Sequence, residues 1–163
     1  MSSVTETERA WLAGFWDGEG SIALFHNQEK NGSDKIKPVL TAYNTDYGLI
    51  NKALDIFSRA DCNPYIVLRK QSSKNSRHRD CVEIKFSSVT SILPALQLML
   101  PYLSGVKRAK GEILLRYLLR RQEKYAKGDQ SYDERDWSDL EEIRSSETTR
   151  AAPEVNSTLW KKI

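Results

Sequence analysis

Two carboxylates, Asp17 and Glu19, are separated by a single glycine where a predicted helix ends. Unpaired backbone carbonyls give the C-terminus of a helix a partial negative charge, so carboxylates there are electrostatically unfavourable. A divalent cation would reverse the sign of that cost. Hard cations such as Mg²⁺ take carboxylate and carbonyl oxygens and keep water and phosphate oxygens as other ligands. Glu19 with the Gly18 carbonyl is therefore a candidate half of a metal site, although a solvated acid pair also fits this spacing.

The helix that positions these carboxylates is predicted to begin near Thr5. Thr5 and Glu8 have the spacing of a capping box, and no proline follows before Asp17. The glycines at 18 and 20 are expected to end the helix. Leu12, Phe15 and Trp16 fall on one apolar stripe, which predicts the side that packs into a core.

Another side of the same helix lacks side-chain bulk. Ala10, Gly14 and Gly18 recur at every fourth position, with Ala13 beside them. Glycine inside a helix costs about 1 kcal/mol relative to alanine, so a compensating contact is expected. Close approach of another helix would supply it. That helix could belong to the same chain or to a second copy, and the spacing alone leaves both open.

The remaining elements alternate hairpins with helices. Two strand pairs are predicted, each followed by a helix, and a further helix begins near Lys107. Pro94 is expected in the first turn of its helix, where proline is tolerated. We predict an α+β fold in which helices cover one face of an antiparallel sheet. The predicted strands are 21–25, 37–43, 65–69 and 81–86, and the later helices follow Asp46, follow Ser88 or Thr90, and span 107–127.

The face of the sheet away from the helices is expected to be open and basic, and a two-stranded ribbon fits the DNA major groove. The cations of the last of these helices are interpreted mostly as a solvated face. The acidic segment 129–147 holds eight acids against Arg135 and Arg144, so the rest of the chain is distinctly basic. Within that segment Trp137, Leu140 and Ile143 share one side, which predicts a small docked helix followed by a loose tail.

Composition excludes several other classes of protein. The 163 residues suffice for one domain with a core, and no apolar run approaches a membrane span or a secretion signal. These features predict a soluble, intracellular protein without a membrane partner. Cys62 and Cys81 lack CxxC spacing and only two histidines exist, so no zinc ligand set can be assembled. We expect both thiols to be reduced and structural.

The segment LAGFWDGEGS at 12–21 resembles the signature of the LAGLIDADG homing endonucleases, in a form that ends Asp-Gly-Glu-Gly. The resemblance extends from Thr5 to about Tyr125 and implies the family's αββαββα core with a saddle-shaped sheet. We therefore divide the chain into a core, 1–127, and a C-terminal extension, 128–163. A second copy of the motif is not found in the sequence. Single-motif, intron-encoded members of the family act as homodimers, so the glycine seam at 10–18 becomes an expected dimer interface.

The resemblance also implies an activity. Glu19, with the Gly18 main chain, would bind catalytic Mg²⁺, which Mn²⁺ or Ca²⁺ could replace in binding. Asp17 is expected to make hydrogen bonds that support the helix end instead of binding metal. Double-stranded DNA would be cut at a long, near-palindromic site, one strand by each subunit. Asn44 and Lys107 match polar and basic positions of the family and would organise water near the scissile phosphate. Asn44 departs from the glutamine of some relatives, and Lys107 matches only after a shift of one residue.

The two hairpins are predicted to place polar side chains against base edges and phosphates. Some of these charges could instead be solvated residues that guard strand edges. Three other functions stay open: an RNA-splicing maturase, a DNA-binding regulator that has lost cleavage, and a helical module that dimerises through the seam. The predicted DNA-contacting residues are Ser21, Asn27, Gln28, Lys30, Lys35, Lys37, Thr41, Arg69, Lys70, Lys74, Arg77, Arg79 and Lys85.

Overall fold

The computed structural model describes residues 3–70 and 80–148. Within them the chain forms five α-helices and four β-strands in the predicted order. The elements are α1 (Glu6–Glu19), β1 (Gly20–Gln28), β2 (Asp34–Asn44), α2 (Tyr47–Arg59), β3 (Tyr65–Arg69), β4 (Cys81–Phe86), α3 (Val89–Met99), a 3-10 turn (Leu100–Tyr102), α4 (Gly105–Ala126) and α5 (Glu134–Thr148).

The first helix starts where the capping box predicts. The Glu8 backbone N–H donates to Thr5 Oγ1 at 3.3 Å, and the Thr5 backbone N–H donates to the Glu8 carboxylate at 2.8 Å. These bonds satisfy groups that a helix start otherwise leaves unpaired. Leu12, Phe15 and Trp16 are buried, so the predicted apolar stripe is confirmed.

The four strands form one antiparallel sheet with the order β1-β2-β4-β3. Because successive side chains of a strand point to opposite faces, the register assigns each residue to a face. Ile22, Leu40 and Ile84 lie on the inner face and are buried. Helices α1 to α5 all lie on that side. The predicted α+β architecture, with helices on one face of the sheet, is confirmed.

The strands of the first hairpin are longer than the sequence predicted, whereas β3 and β4 have the predicted bounds. β1 continues to Gln28 and β2 begins at Asp34, so both ends of the polar stretch between the predicted strands are also strand. The tip is a short turn in which Gly32 has a φ of 81°, a value that favours glycine. Exposed strands tolerate polar residues when one face of the sheet meets solvent.

The C-terminal helix α5 packs against α4 and β1. Leu140 and Ile143 are each 2% exposed, which confirms the predicted docked helix. The same helix pairs with cations of α4 that the sequence analysis assigned to a solvated face. Asp136 and Asp139 are buried, and both form ion pairs with Arg120. Asp136 also forms an ion pair with Lys124. That interpretation was wrong for this side of α4, because acids 133–139 return along the chain to cover it.

Two smaller expectations also have outcomes. Pro94 lies in the second turn of α3, not the first, and the Thr90 carbonyl that it leaves without a helix donor is in the exposed first turn, open to solvent. Cys62 and Cys81 are both free, and burial raises the pKa of the Cys62 thiol to about 11, as befits an inert structural thiol.

No helix within 3–70 and 80–148 combines the length and apolar character needed to cross a membrane.

Candidate active site and DNA-facing surface

The junction between α1 and β1 carries Glu19 and is tightly constrained. Gly20 follows directly, and its N–H donates to the Trp16 carbonyl. A Cβ at position 20 would lie 2.3 Å from Trp16 Cδ1 and 2.6 Å from the Trp16 carbonyl oxygen. Only glycine lets the chain pass this close to the buried indole. The close approach therefore fixes where the strand leaves the helix and, with it, the position of Glu19.

Asp17 binds the neighbouring helix. Its carboxylate accepts the Ser104 hydroxyl at 2.6 Å and the Ser104 backbone N–H at 3.1 Å. Ser104 is the residue that precedes α4, so Asp17 joins the end of α1 to the start of α4. The structural role inferred for Asp17 from the sequence is confirmed.

Lys107 reaches the same helix end from α4. Its Nζ donates to the carbonyls of Trp16 at 3.1 Å, Asp17 at 3.0 Å and Gly20 at 2.5 Å. A cation at a helix C-terminus offsets the partial negative charge there. Part of the electrostatic cost of placing Glu19 at this point is thus met within the chain. The predicted role of Lys107 in organising water stays a prediction, and the structure adds that it holds the main chain that carries Glu19.

Glu19 and Asn44 line one groove. The groove has a volume of about 370 Å³ and lies between α1, the end of β2 and the start of α2. Asn44 Oδ1 accepts the Asp46 backbone N–H at 2.7 Å, a turn that aligns the amide. Glu19 is exposed, and its carboxylate makes no hydrogen bond or ion pair with the residues described. The structure therefore brings together two of the three predicted catalytic residues. The groove is lined by Trp11, Gly14, Phe15, Gly18, Glu19, Asn44 and Leu49.

Lys107 lines a different cavity, about 670 Å³, on the other side of the α1 end. Gly18 borders both spaces. Lys110, another of the α4 cations, also lines this cavity and is only 7% exposed. Its burial could not be read from a helix whose cations recur on every side.

The donor set at Glu19 fits part of a divalent metal site. An exposed carboxylate beside main-chain carbonyls offers the hard oxygen ligands that Mg²⁺ prefers. Among residues 3–70 and 80–148, no cluster of three or more His, Cys, Asp or Glu side chains could enclose a metal ion. Within the described residues, Glu19 and the neighbouring main-chain carbonyls thus supply part of a metal ligand set.

The small-residue seam of α1 is open in the single chain. Ala10, Gly14 and Gly18 are exposed, and a Cβ added at either glycine would meet nothing within 4 Å. Packing within residues 3–70 and 80–148 therefore does not require these glycines. Ala13, which was predicted to lie in the same seam, is 0% exposed because it faces the chain's own core. Its side chain therefore offers no surface to a partner.

The outer face of the sheet carries most of the predicted DNA-contacting residues that the structure describes. Opposed residues of neighbouring antiparallel strands share a face. Asn27 lies opposite Lys35, and Lys37 opposite Phe25, on the long hairpin. Lys85 lies opposite both Thr41 and Tyr65, nearer the centre. These pairs, with Ser21 opposite Thr41 and Arg69 at the edge, place four cations on the outer face, beside exposed apolar and aromatic side chains such as Phe25 and Tyr65.

Two of the predicted contacts are placed differently. Thr41 is on the outer face but only 4% exposed, because it stands in the middle of the sheet between neighbouring strands. Gln28 pairs with Asp34 and falls on the same side as Ile22 and Leu24. Lys30 lies in the hairpin turn and Lys70 just after β3, both exposed. Lys74, Arg77 and Arg79 lie outside the described residues.

The outer face also holds a buried acid that was not predicted from the sequence. Glu83, in β4, is 2% exposed and pairs with Arg69 at 2.6 Å. It also accepts the Tyr43 hydroxyl at 3.0 Å. The hydrogen bond to Glu83 raises the pKa of Arg69. The strict alternation of Val82, Ile84 and Phe86 could have indicated that Glu83 points outward, but not that it is enclosed.

Comparisons with known proteins were made for the sequence and for the fold. No family model and no curated protein matches the sequence. Solved structures match the fold. The homing endonuclease I-CvuI, in complex with the I-CreI target, has a TM-score of 0.57 and 24% identity over 85% of this chain and 76% of that one. I-CvuI with its own target, in the presence of Ca, gives a TM-score of 0.54 and 25% identity over 70% and 67%.

A third match is the LAGLIDADG homing endonuclease I-GzeII in complex with its DNA target, with a TM-score of 0.57 and 21% identity. The match spans 86% of this chain but only 44% of the I-GzeII chain. The signature-like segment at 12–21 occupies the α1–β1 junction of the shared fold, with Glu19 at its exposed end. The similarity predicted from that segment is therefore confirmed for the fold: this chain is built on the fold of the LAGLIDADG homing endonucleases.

Proposed function

We propose that the protein is a homing endonuclease that binds a long, near-palindromic DNA duplex as a homodimer and hydrolyses one phosphodiester on each strand. The observation that carries the proposal is the position of Glu19. It is an exposed carboxylate without a described partner, held at a rigid helix–strand junction between the open glycine seam and the polar face of the sheet.

The sheet supplies the DNA-binding surface in this proposal. Lysines along the long hairpin would contact phosphates, and polar side chains near the sheet centre would face base edges. Three of the similar solved structures are endonucleases in complex with DNA targets, which supports this use of the fold.

Glu19 and the adjacent Gly18 carbonyl would hold divalent metal together with DNA phosphate oxygens. When bound, the metal would lower the pKa of an attacking water and stabilise charge on the phosphate. Asn44, in the same groove, would position a water or a phosphate oxygen through its amide. Lys107 would keep the last turn of α1 in place.

A second copy would complete the site. Ala10, Gly14 and Gly18 allow two α1 helices to approach closely, which would bring both Glu19 carboxylates to the same place. The short coverage of the I-GzeII chain, 44%, agrees with one copy of this chain supplying about half of such an enzyme. The dimer would also lengthen the DNA-facing sheet across its two-fold axis.

The test is to incubate the full-length protein with a randomised library of near-palindromic duplexes, in Mg²⁺ or in EDTA, and to sequence the cut ends. Glu19→Gln, which keeps the size of the side chain but removes its charge, runs in parallel. We expect a narrow set of sites to be cut by the wild type in Mg²⁺ only, and the variant to show no cutting above the EDTA background. Selective binding without cutting would favour the regulator or maturase function.

A further inference from the structure

The enclosed carboxylate of Glu83 is the most unusual charge on the outer face of the sheet. A polyanion-binding surface gains nothing from an acid, and a buried charge is costly unless it is paired and hydrogen-bonded. Glu83 is 2% exposed in the middle of β4, opposite Tyr43 on β2 and Val67 on β3. Its presence therefore calls for an explanation from its partners.

Three strands contribute to the network around this carboxylate. Glu83 Oε2 accepts Arg69 Nε at 2.8 Å and Arg69 Nη2 at 2.6 Å. The other oxygen, Oε1, accepts the Tyr43 hydroxyl at 3.0 Å. The Arg69 guanidinium also lies over the Tyr43 ring, with Cζ 5.6 Å from the ring centroid. Charge-assisted bonds and ring contact together hold the guanidinium in one orientation.

The fixed guanidinium keeps donors for another molecule. Arginine has five N–H groups, and Glu83 accepts two of them. The pair of N–H groups on the Nη1–Nη2 edge is not used by the described contacts. Arg69 stands above its acid, since its side chain is 55% exposed whereas that of Glu83 is 2% exposed. The guanidinium therefore presents a two-donor edge to whatever binds the sheet.

The free N–H groups of Arg69 could bind either a DNA phosphate or the edge of a base, and the charge of the Arg69–Glu83 pair distinguishes the two. A phosphate is attracted mainly by net positive charge, and Glu83 neutralises that of Arg69. A base edge is recognised by the position of donors, which the network fixes. Among bases in the major groove, guanine offers two acceptors, O6 and N7, that match a paired N–H edge.

We propose that Arg69 reads a guanine in the major groove of each half-site, with Glu83 and Tyr43 as the residues that position it. This inference rests on the proposed function, because it requires that the sheet bind duplex DNA. Glu83 acts through Arg69 and does not itself contact the base. The network thus provides a specificity element on the side of the sheet where β3 and β4 pair.

The test selects bound duplexes from a randomised library with the full-length protein in Ca²⁺, at two salt concentrations, and scores the base preference at every position. The variants are Arg69→Lys, which keeps the charge and loses the paired donors, Glu83→Gln and Tyr43→Phe. Lys37→Met serves as the control, because it removes one cation from the same face without touching the network. Thermal unfolding of each variant confirms that it folds.

We expect the wild type to select guanine at one position in each half-site. Arg69→Lys should lose that preference by about 10- to 100-fold and leave the other positions unchanged, since one bidentate base contact is worth this much. Glu83→Gln and Tyr43→Phe should weaken the preference at the same position. Lys37→Met should lower affinity for all sequences alike.

Two results would overturn the inference while leaving the proposed function intact. One is an Arg69→Lys variant with the same base preferences as the wild type. The other is an Arg69→Met variant, which removes the charge, that loses affinity for all sequences alike, with the slope of the salt dependence falling by roughly 0.9, the value of one phosphate contact. If the wild type selects no sequence at all, the proposed function fails and this inference fails with it.

Discussion

At the scale of single residues, the end of α1 shows how the chain holds an acid where the backbone disfavours one. Lys107 supplies the opposite charge to the last turn, Asp17 binds the start of α4, and Gly20 makes the tight exit into β1. Glu19 is the one carboxylate of this segment that the described residues leave exposed and unpaired. The chemistry assigned to it depends on the rigidity of these three contacts.

Replacing Lys107 tests this support directly. Lys107→Met keeps the length of the side chain but leaves three carbonyls without their charged donor. We expect the free energy of unfolding to fall by about 2 kcal/mol, in the range of hydrogen bonds to charged groups. Urea unfolding, followed by circular dichroism, measures it.

The matched control for this change is Lys127→Met, at the residue that directly follows the same helix. Lys127 forms an exposed pair with Glu123, so its loss should cost less than about 0.5 kcal/mol. Equal effects of the two substitutions would contradict the supporting role of Lys107.

The sequence predicted the residue types at this site better than their contacts. Glu19 followed from the motif, and Asp17 was correctly assigned to structural support. The three carbonyls that bind Lys107, the burial of Ala13 and the enclosure of Glu83 depend on which elements meet across the fold. Such contacts join positions far apart in sequence, and spacing along the chain carries no record of them.

At the scale of elements, α5 is the part of the chain that the motif does not explain. It returns along α4 with buried acids against α4 cations, and Trp137 packs edge-on against the His26 ring of β1 with centroids 5.3 Å apart. The Tyr132 hydroxyl, just before α5, donates to the Ile36 carbonyl of β2 at 3.4 Å. The helix thus supports the long hairpin from its inner face.

Removing a buried acid should loosen this support. Asp136 is 0% exposed and pairs with Arg120 at 3.2 Å and Lys124 at 3.2 Å. Arg120 and Lys124 keep other acidic partners, but Asp136→Ala leaves the buried guanidinium of Arg121, 3.6 Å from Asp136, without a carboxylate. We therefore expect a loss of about 3–5 kcal/mol in the free energy of unfolding. Guanidinium unfolding provides the measurement.

An exposed ion pair on the same helix gives the comparison. Arg144→Ala breaks only the solvent-exposed contact with Glu141 and should cost less than about 1 kcal/mol. If Asp136→Ala were as mild as this control, α5 would be a loose appendage, not part of the packed unit. Periodicity predicted that α5 docks, whereas the ion pairs that hold it required knowing that it lies along α4.

At the scale of the whole molecule, the open seam on α1 predicts a second subunit. Among the residues that the structure describes, none lies within 4 Å of a Cβ added at Gly14 or Gly18. Glycine inside a helix costs about 1 kcal/mol relative to alanine. A close contact with another chain would explain why glycine stands at both positions. The same seam places Glu19 beside the expected partner helix.

A bulky residue in the seam separates folding from assembly. Gly14→Leu should leave the single chain folded, because its side chain would extend into open space, but should convert the dimer to a monomer. Sedimentation velocity measures the change, and Gln122→Leu, which adds the same side chain to an exposed position on α4, should leave the dimer intact. A Gly14→Leu variant that remains dimeric would rule out this seam as the interface.

The α+β fold, the order of elements and the face that carries the cations were all predictable, since hydrophobic period and capping are local properties. Subunit number and metal ligation belong to the assembly, and one sequence constrains them only through the seam and the exposed acid.

The central claim is that two Glu19 carboxylates, one from each subunit, make a metal-dependent cutting site. Its most direct test mixes differently tagged wild-type and Glu19→Gln chains, purifies the mixed dimer, and measures strand-resolved cleavage of one selected duplex in Mg²⁺ and in EDTA. We predict that the wild-type dimer cuts both strands in Mg²⁺ alone. The Glu19→Gln dimer should bind without cutting, and the mixed dimer should fail to make double-strand breaks at the wild-type rate. Double-strand cutting by the Glu19→Gln dimer at the wild-type rate would contradict the account.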